Sequence, residues 1–299
     1  MLALIAGTGD LPPALVARLP ERPLICALQG FDPALPVDIR FRLEHLGTFM
    51  QTLRDAGVTR ICMAGAIRRP EIDPSAIDEA TKPLVPRVLA ALGQGDDGAL
   101  RIVIGLLEEH GFEVLAAHVI AADLLPSPGV LTKTAPSDQH HKDASVGEFC
   151  VGAMGKADKG QACLVTQQEV VAVEDAEGTD AMIAAYAKGE TPQGDDDFLG
   201  IVSDAATSAF DGLTSLVVGE PLDKSAGADT ILFKAPKPDQ DRRADLPVIG
   251  PATAQGIVNA GFAGIVIEAG GVMVLEQEEV ISILDAGGAF LWVREKGAE

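Results

Sequence analysis

A short segment in the last third of this 299-residue chain combines residue types that are used in phosphoryl chemistry. Its letters are KAPKPDQDRRADLPVIG, and it places the cations Lys234, Lys237 and Arg242 beside the carboxylates Asp241 and Asp245. Carboxylates bind divalent metal ions, whereas Lys and Arg side chains neutralise phosphoryl oxygens. The prolines restrict the loop and lower the entropy that is lost when a site forms. The segment therefore indicates metal-assisted chemistry on a phosphorylated substrate, with a solvated turn as the alternative.

A second cluster of acids lies earlier in the chain, where a predicted strand gives way to a helix. Glu174, Asp175, Glu177 and Asp180 place four carboxylates within seven residues. Like charges this close repel one another unless a cation or solvent relieves them. Such a junction can hold a hard cation such as Mg²⁺. Capping of the helix by Thr179 or Asp180 explains the same residues, so the cluster alone leaves both interpretations open.

The turn GTGD follows the first apolar run and supplies Gly7, Gly9 and Asp10. Glycines let the backbone approach a phosphate or sugar, and the amides at a helix N-terminus attract anions. The dinucleotide pattern GxGxxG is incomplete, because Pro12 stands at its third glycine, and Asp10 would repel a pyrophosphate. The turn is weak support for a nicotinamide cofactor, and it fits a nucleotide contact and a bare turn equally well.

Two further loops carry polar side chains that could contact a nucleotide. Arg68, next to Arg69, follows a predicted parallel strand, and ligands of open α/β sheets bind beyond such strand ends. Arg suits bidentate recognition of phosphate, although surface ion pairs also explain it. Asp97 lies in the polar loop GQGDD before a predicted helix, where capping is a sufficient explanation.

The elements that must position these residues alternate between strand and helix in the first part of the chain. The apolar runs are continuous, which is typical of parallel strands covered on both faces. The expected fold class is α/β, with a Rossmann-like parallel sheet in the N-terminal domain. The predicted elements are the strands Leu2–Ala6, Leu24–Leu28, Arg60–Ala64 and Glu113–Val119, and helices beginning near Leu11 and spanning Thr48–Ala56 and Ala99–His110.

The remainder of the chain predicts a second α/β domain whose element order follows no familiar pattern. We place the N-terminal domain at residues 1–130, a polar linker at 131–143 and the C-terminal domain at 144–299. The predicted elements of the second domain are the helices Ser145–Lys156, Gly178–Lys188, Phe198–Leu213, Thr253–Ala260 and Glu276–Ala286, a hairpin of Ala162–Thr166 with Val170–Glu174, and the strands Thr230–Lys234, Gly264–Glu268 and Ala289–Val293.

Composition excludes several classes of protein. Because 44 acidic residues face 23 basic ones, the formal net charge is −21, and nucleic acid is not an expected partner. Serine-hydrolase, HExxH and P-loop motifs are absent from the sequence. Four cysteines without CxxC spacing predict buried, reduced thiols and a cytoplasmic protein. No apolar run approaches the ~20 residues that span a bilayer.

Several motifs occur together and in order along nearly the whole chain. They are LIAGTGDLP, MAGAIRRP, the GDD loop, EGTDAMI and KAPKPDQDRRADLPVIGPAT. In this combination the chain resembles the LpxI-type UDP-2,3-diacylglucosamine pyrophosphatases of lipid A biosynthesis. The most specific parts of the resemblance are EGTDAMI and the pattern KPxQDxRxDLPxIG.

The resemblance implies a two-domain enzyme of the bacterial cytoplasm, bound peripherally to the inner face of the inner membrane through its lipid substrate. With Mg²⁺, or alternatively Mn²⁺, such an enzyme hydrolyses UDP-2,3-diacylglucosamine to 2,3-diacylglucosamine 1-phosphate (lipid X) and UMP. Water is expected to attack the α-phosphorus. The C-terminal domain is expected to have an unusual topology and to supply catalytic carboxylates. The sequence leaves open whether the protein is a homodimer.

The resemblance also implies roles for individual residues. Asp241 is the first choice for the essential metal-binding or base carboxylate, with Asp245 beside it and Glu177 and Asp180 as further metal ligands. The expected neutralising cations are Lys234, Lys237 and Arg242. The residues expected around the UDP group are Gly7, Gly9, Asp10, Arg68 and Asp97.

Two other functions compete with this one. A nicotinamide-dependent oxidoreductase would use the same N-terminal sheet, but it leaves the carboxylate clusters unexplained. A non-catalytic carrier of nucleotide sugars or lipids would bind the same ligands without turnover. The chain also departs from the family between Met182 and Ile231, where an acidic stretch, residues 189–229, replaces an expected shorter connection.

Overall fold

The computed structural model describes residues 1–68, 71–92, 96–157, 159–190, 227–238, 240–243 and 245–298. The chain divides into two compact units. The N-terminal unit comprises Met1–Asp123 together with Gln240–Leu246, and the C-terminal unit comprises Leu124–Asp239 together with Pro247–Glu299. Within the described residues, no helix combines the length and the apolar character needed to cross a membrane.

The N-terminal unit is built on a parallel sheet, which confirms the predicted α/β class and the Rossmann-like arrangement. Its central strands are apolar on both faces because helices cover both sides. The strands, in the spatial order β3-β2-β1-β4-β5, are β1 (Leu2–Ala6), β2 (Leu24–Leu28), β3 (Ile39–Phe41), β4 (Arg60–Ala64) and β5 (Glu113–Leu115). The helices are α1 (Leu11–Val16), α2 (Leu46–Asp55), α3 (Val85–Leu92), α4 (Asp96–Glu109) and α5 (Ala117–Ile120).

The strand order places a topological switch point between β1 and β4. Strand β2, which follows β1 in the chain, pairs with one edge of β1. Strand β4 pairs with the other edge of β1, with Ala6 opposite Ala64. At such a point the loops that follow the two strands diverge from the same edge, which is where open α/β sheets bind ligands. The loops in question begin at Gly7 and at Gly65.

The C-terminal unit is built on a mixed sheet with parallel strands at its centre. In the spatial order β6-β13-β11-β9-β7-β8, its strands are β6 (Gly129–Val130), β7 (Ala162–Thr166), β8 (Glu169–Val173), β9 (Ile231–Lys234), β11 (Gly264–Glu268) and β13 (Phe290–Arg294). A separate parallel pair is formed by β10 (Val248–Ile249) and β12 (Met273–Val274). The helices are α6 (Asp138–Lys156), α7 (Thr179–Ala187), α8 (Pro251–Ala260) and α9 (Gln277–Gly287).

Each face of this sheet has its own core. On one face, Leu232 and Ile265 pack in a cluster with residues of α7, α8 and α9. On the other face, Phe233 and Val266 pack with residues of α6. Gly147 lets α6 lie close to the sheet, since a Cβ atom there would lie 2.6 Å from the Cβ atom of Phe233.

The structure shifts the predicted boundary between the domains. The division falls between Asp123 and Leu124 rather than at residue 130, because β6 pairs with β13 in the C-terminal unit. The predicted linker 131–143 is partly helical, since α6 begins at Asp138. Ser137 and His140 explain this start, because their backbone amides and side chains exchange hydrogen bonds in a capping box.

Several local predictions also need correction. The predicted strand from Glu113 ends at Leu115, and helix α5 replaces its second half. The edge strand β3 was not predicted. The hairpin around Gln167 and Gln168 is confirmed, with both residues at positive φ. The helix predicted across Phe198–Leu213 lies outside the described residues.

Candidate active site

At the switch point of the N-terminal unit, two loops are joined by an isolated antiparallel bridge. Thr8 and Ala66 exchange backbone hydrogen bonds of 2.9 Å in both directions, and the Thr8 hydroxyl donates to the Ala66 carbonyl oxygen at 3.2 Å. Gly7 permits this approach, because a Cβ atom there would lie 2.5 Å from the same carbonyl oxygen. Gly9 has φ +96°, a conformation that glycine adopts without strain.

Most of the residues predicted around the nucleotide meet at this edge. Gly7, Gly9 and Asp10 lie in the loop after β1, and Arg68 lies in the loop after β4. Asp10 precedes α1 and makes no side-chain capping hydrogen bond. The backbone of Asp97 belongs to the first turn of α4, while its side chain, like the whole of Arg69, lies outside the described part of the structure. The edge therefore collects glycine turns and one Arg beyond two parallel strands.

Asp241 lies in the N-terminal unit and is held by a neighbouring arginine. Its Oδ1 atom accepts hydrogen bonds of 3.0 Å from both the backbone amide and Nε of Arg243, and its Oδ2 atom accepts one of 2.8 Å from Nη2. These hydrogen bonds are the main reason that the pKa of Asp241 is lowered, and Asp241 likewise raises the pKa of Arg243. Asp241 is therefore a carboxylate at neutral pH.

Gln240, Arg242 and Asp245 lie in the same unit as Asp241. Gln240 donates a 3.0 Å side-chain hydrogen bond to Oδ2 of Asp245, and the Asp245 amide donates to the Asp241 carbonyl oxygen at 3.4 Å. The positive charge of Arg242 adds to burial in lowering the pKa of His118. Within the segment, Gln240–Leu246 thus belong to the N-terminal unit.

Lys234 ends strand β9 in the C-terminal unit and is buried, with 5% of its surface exposed. Its ammonium donates a 2.7 Å hydrogen bond to the Thr179 hydroxyl, which itself donates to Oε1 of Glu174. The ammonium lies 3.8 Å from that oxygen, so Lys234 and Glu174 form a buried ion pair bridged by a hydroxyl. The other carboxylate oxygen of Glu174, Oε2, accepts a 2.7 Å hydrogen bond from the backbone amide of Gln161.

The acidic residues after β8 make different contacts from one another. The prediction that Thr179 or Asp180 caps the helix is wrong, because Gly178 is the N-cap and neither side chain caps it. Asp180 instead accepts a 2.8 Å hydrogen bond from the Thr253 hydroxyl and ties α7 to α8. The amide of Glu177 donates to Asp175 at 2.8 Å.

The three predicted metal ligands are distributed over the two units. Glu177 and Asp180 belong to the C-terminal unit, whereas Asp241 belongs to the N-terminal unit. Among the described side chains, no group of three His, Cys, Asp or Glu residues is arranged to hold a metal ion. Mg²⁺ commonly binds through one or two carboxylates together with substrate phosphates, and that arrangement needs no group of three protein ligands.

The C-terminal unit also contains an open groove of about 660 Å³. Helix α6 contributes Phe149, Gly152 and Ala153 to its lining, and the loop after β9 contributes Pro236 and Pro238. Gly155 keeps the end of α6 close to this loop, since a Cβ atom there would lie 2.5 Å from Cδ of Pro238 and 3.1 Å from Cβ of Lys237. The loop that contains Lys237 therefore also lines the groove.

Three residues of these arrangements were not identified from the sequence. Arg243 stands beside Arg242 and is not among the predicted site residues, although the pattern KPxQDxRxDLPxIG has its fixed arginine at position 243 and leaves position 242 variable. Thr179 was read only as a helix cap. Glu108, which accepts a hydrogen bond from Nη1 of Arg243, lies in an ordinary amphipathic helix and carries no sequence signal.

The N-terminal unit has the features of an α/β nucleotide-binding domain: a parallel sheet and a glycine-lined switch point. Comparison with known protein families identifies the family. This chain belongs to the LpxI family: the LpxI N-terminal domain matches residues 1–124 and the LpxI C-terminal domain matches residues 127–292. A curated relative is the UDP-2,3-diacylglucosamine pyrophosphatase LpxI of Caulobacter vibrioides. It is 32% identical over 298 residues, which cover 97% of this chain and 96% of the relative. The resemblance inferred from the motifs is thereby confirmed.

Proposed function

We propose that this chain hydrolyses UDP-2,3-diacylglucosamine to UMP and 2,3-diacylglucosamine 1-phosphate, lipid X, in lipid A biosynthesis. The observation that carries the proposal is Asp241, an ionised carboxylate that Arg243 holds by hydrogen bonds, within the residues that the LpxI C-terminal domain matches. The name of the Caulobacter relative supports the substrate. Hydrolysis at a phosphoric anhydride needs a carboxylate that can bind a metal ion or accept a proton from water.

In the proposed reaction, water attacks the α-phosphorus, next to uridine. A new P–O bond forms there and the bond from the α-phosphorus to the bridging oxygen breaks. UMP keeps the oxygen atom from water, and lipid X leaves with the bridging oxygen on its phosphate. Asp241 accepts the proton of the attacking water or holds the metal that acidifies it. Lys234, Lys237 and Arg242 are proposed to neutralise the diphosphate, and Asp245 is proposed as a companion carboxylate of Asp241.

The proposed metal is Mg²⁺, with Mn²⁺ as the alternative. Mg²⁺ commonly binds through one or two carboxylates together with substrate phosphates and water, rather than in an all-protein cage. Asp241 fits that arrangement, with Glu177 and Asp180 as further proposed ligands. When bound, such an ion lowers the pKa of water and offsets charge on the phosphoryl oxygens.

The two units are proposed to bind chemically different parts of the substrate. In the N-terminal unit, the bridged loops with Gly7, Gly9, Asp10 and Arg68 are proposed to contact the UDP group, because they lie where open α/β sheets bind ligands. In the C-terminal unit, the groove beside α6 is proposed to take an acyl chain, because most of its lining is apolar, with Glu148, Lys156, Glu268 and Lys296 as its charged lining residues. Membrane contact at the inner face of the inner membrane would then come through the lipid.

Hydrolysis in water enriched with ¹⁸O tests the proposal directly. With Mg²⁺ present, mass spectrometry should find one ¹⁸O atom in UMP and none in lipid X, and turnover should stop when EDTA exceeds the metal. Absence of UMP with either Mg²⁺ or Mn²⁺ would overturn the proposed function. Label in lipid X would overturn attack at the α-phosphorus.

A further inference from the structure

The segment Gln240–Leu246 is packed on the N-terminal unit although the chain on both sides of it belongs to the C-terminal unit. The chain therefore passes between the units twice within a few residues. A short segment of this kind needs specific contacts to hold it, because ordering the backbone of each residue costs conformational entropy. Its described contacts with the body of the N-terminal unit include one from Arg243.

Arg243 connects Asp241 to helix α4. Two nitrogens of its guanidinium hold the Asp241 carboxylate, as described above, while Nη1 donates to Oε1 of Glu108. Glu108 belongs to the last turn of α4, and the 40% and 45% exposed side chains of Arg243 and Glu108 leave the pair open to substitution. A planar guanidinium bound on two edges fixes direction as well as distance.

A comparison within the same helix distinguishes this pair from an ordinary surface pair. Glu109, the next residue, forms an ion pair with Arg87, and both partners are exposed. Glu108, by contrast, contacts Arg243, and Arg243 contacts Asp241, whose side chain is 16% exposed. The two glutamates thus make similar ion pairs with different consequences.

We infer that Arg243 and Glu108 are positioning residues, which fix the Asp241 carboxylate against helix α4 for the hydrolysis. The inference deepens the proposed function and rests on it. Exposed ion pairs add little to stability, so the effect of Glu108 on the fold is expected to be small. A displaced catalytic group, by contrast, lowers the rate steeply.

The first test compares Glu108→Gln with the matched control Glu109→Gln. Glu108→Gln should lower kcat about tenfold and change KM less than about twofold, because it disturbs geometry and leaves substrate contacts in place. Arg243→Met should lower kcat about a hundredfold, and Arg243→Lys should recover part of that loss. Glu109→Gln should behave like the wild type. Equal kcat values for Glu108→Gln and Glu109→Gln would overturn the inference.

A second measurement does not depend on catalysis. Hydrogen–deuterium exchange of the peptide covering residues 240–246 should be faster in Glu108→Gln than in Glu109→Gln, with equal melting temperatures. Unchanged exchange would overturn the anchoring of the segment, whatever the activity. If the wild type released no UMP, the proposed function would fail separately, and the exchange result would still decide whether Glu108 holds the segment.

Discussion

Lys234 and Asp241 belong to one sequence motif, yet their side chains are held by different physical means. Asp241 is partly exposed and is fixed by the fork of a single arginine. Lys234 is buried and shares a hydroxyl with a buried glutamate. A buried ion pair contributes little net stability, because desolvation offsets the attraction, but removal of one partner leaves an uncompensated charge.

The Lys234–Glu174 pair therefore leads to a prediction about stability. Lys234→Met should lower the free energy of unfolding by ~3–5 kcal/mol, since it leaves the Glu174 carboxylate buried without its cation. The double variant Lys234→Met with Glu174→Gln should recover most of that loss. Urea unfolding at neutral pH measures both changes. A loss below ~1 kcal/mol in the single variant would contradict the buried pair, and full hydrolytic activity in the double variant would contradict a role for Lys234 at the diphosphate.

Glu44 provides a second prediction at the residue scale, this time about pH. It is 4% exposed, and hydrogen bonds from Arg42 are the main cause that lowers its pKa from 4.5 to about 2. Because the pKa is depressed in the folded state, the stabilisation is fully present above about pH 4.5 and is lost as the pH falls towards 2. This stabilisation is at most roughly 3 kcal/mol, and solvent screening of the more exposed Arg42 reduces it.

Glu44→Gln should therefore destabilise the protein near pH 6 and should differ little from the wild type near pH 2.5. Chemical unfolding at a series of pH values measures the difference. Glu79→Gln is the matched control, because Glu79 pairs with Lys82 on the surface with 88% of its side chain exposed. A constant difference between Glu44→Gln and the wild type across the series would contradict the shifted pKa.

At the scale of elements, three neighbouring parallel strands of the C-terminal unit each end in a buried charged residue. Lys234 ends β9, Glu268 ends β11 and Arg294 ends β13, and all are at most 7% exposed. Side-chain alternation sends Lys234 towards α7, while Arg294 points to α6, where it contacts Glu148. The carboxyl edge of this sheet is thus charged on both faces, as expected of a sheet that positions functional groups.

Two glycines of α6 predict opposite effects on stability. A Cβ atom at Gly152 would meet nothing within 4 Å, whereas one at Gly155 would lie 2.5 Å from Pro238. Gly152→Ala should stabilise the protein by about 0.5–1 kcal/mol through helix propensity. Gly155→Ala should destabilise it, because the loop after β9 must move. Melting temperatures that change in the same direction would contradict the close contact between α6 and this loop.

Elements were predictable from the sequence where the apolar pattern is strong. The strands β1, β2, β4 and β11 lie at the predicted residues, because continuous buried runs bounded by glycine or polar turns are distinctive. The edge strand β3 was missed, since its three residues include Arg40 and are only partly buried. A short run that contains one exposed arginine between two partly buried residues also occurs in loops.

The candidate site was predictable as a set of residues and not as a set of contacts. Asp241 and Lys234 could be identified because charged residues between prolines stand out and match a family motif. The ion pairs Arg243–Glu108 and Lys234–Glu174 join residues 135 and 60 positions apart, respectively (243 − 108 and 234 − 174), which periodicity cannot detect. The packing of Gln240–Leu246 on the N-terminal unit depends on such long-range contacts.

At the scale of the whole molecule, the chain forms two α/β units and carries a formal net charge of −21. An anionic diphosphate must therefore be recognised through local cations or a metal ion rather than through the overall field. The arginines of the motif and of the loop after β4 supply such local charge. Asp241 has to remain ionised among these acids, and Arg243 provides the reason that it does.

Asp241 is proposed to take part directly in the hydrolysis of UDP-2,3-diacylglucosamine. The most direct test compares UMP release by the wild type and by Asp241→Asn, at saturating substrate with Mg²⁺, after circular dichroism has shown equal folding. Asp241→Asn keeps the size of the side chain and removes its charge, so the account predicts a loss of kcat of about a thousandfold or more. UMP release by Asp241→Asn at the wild-type rate would contradict it.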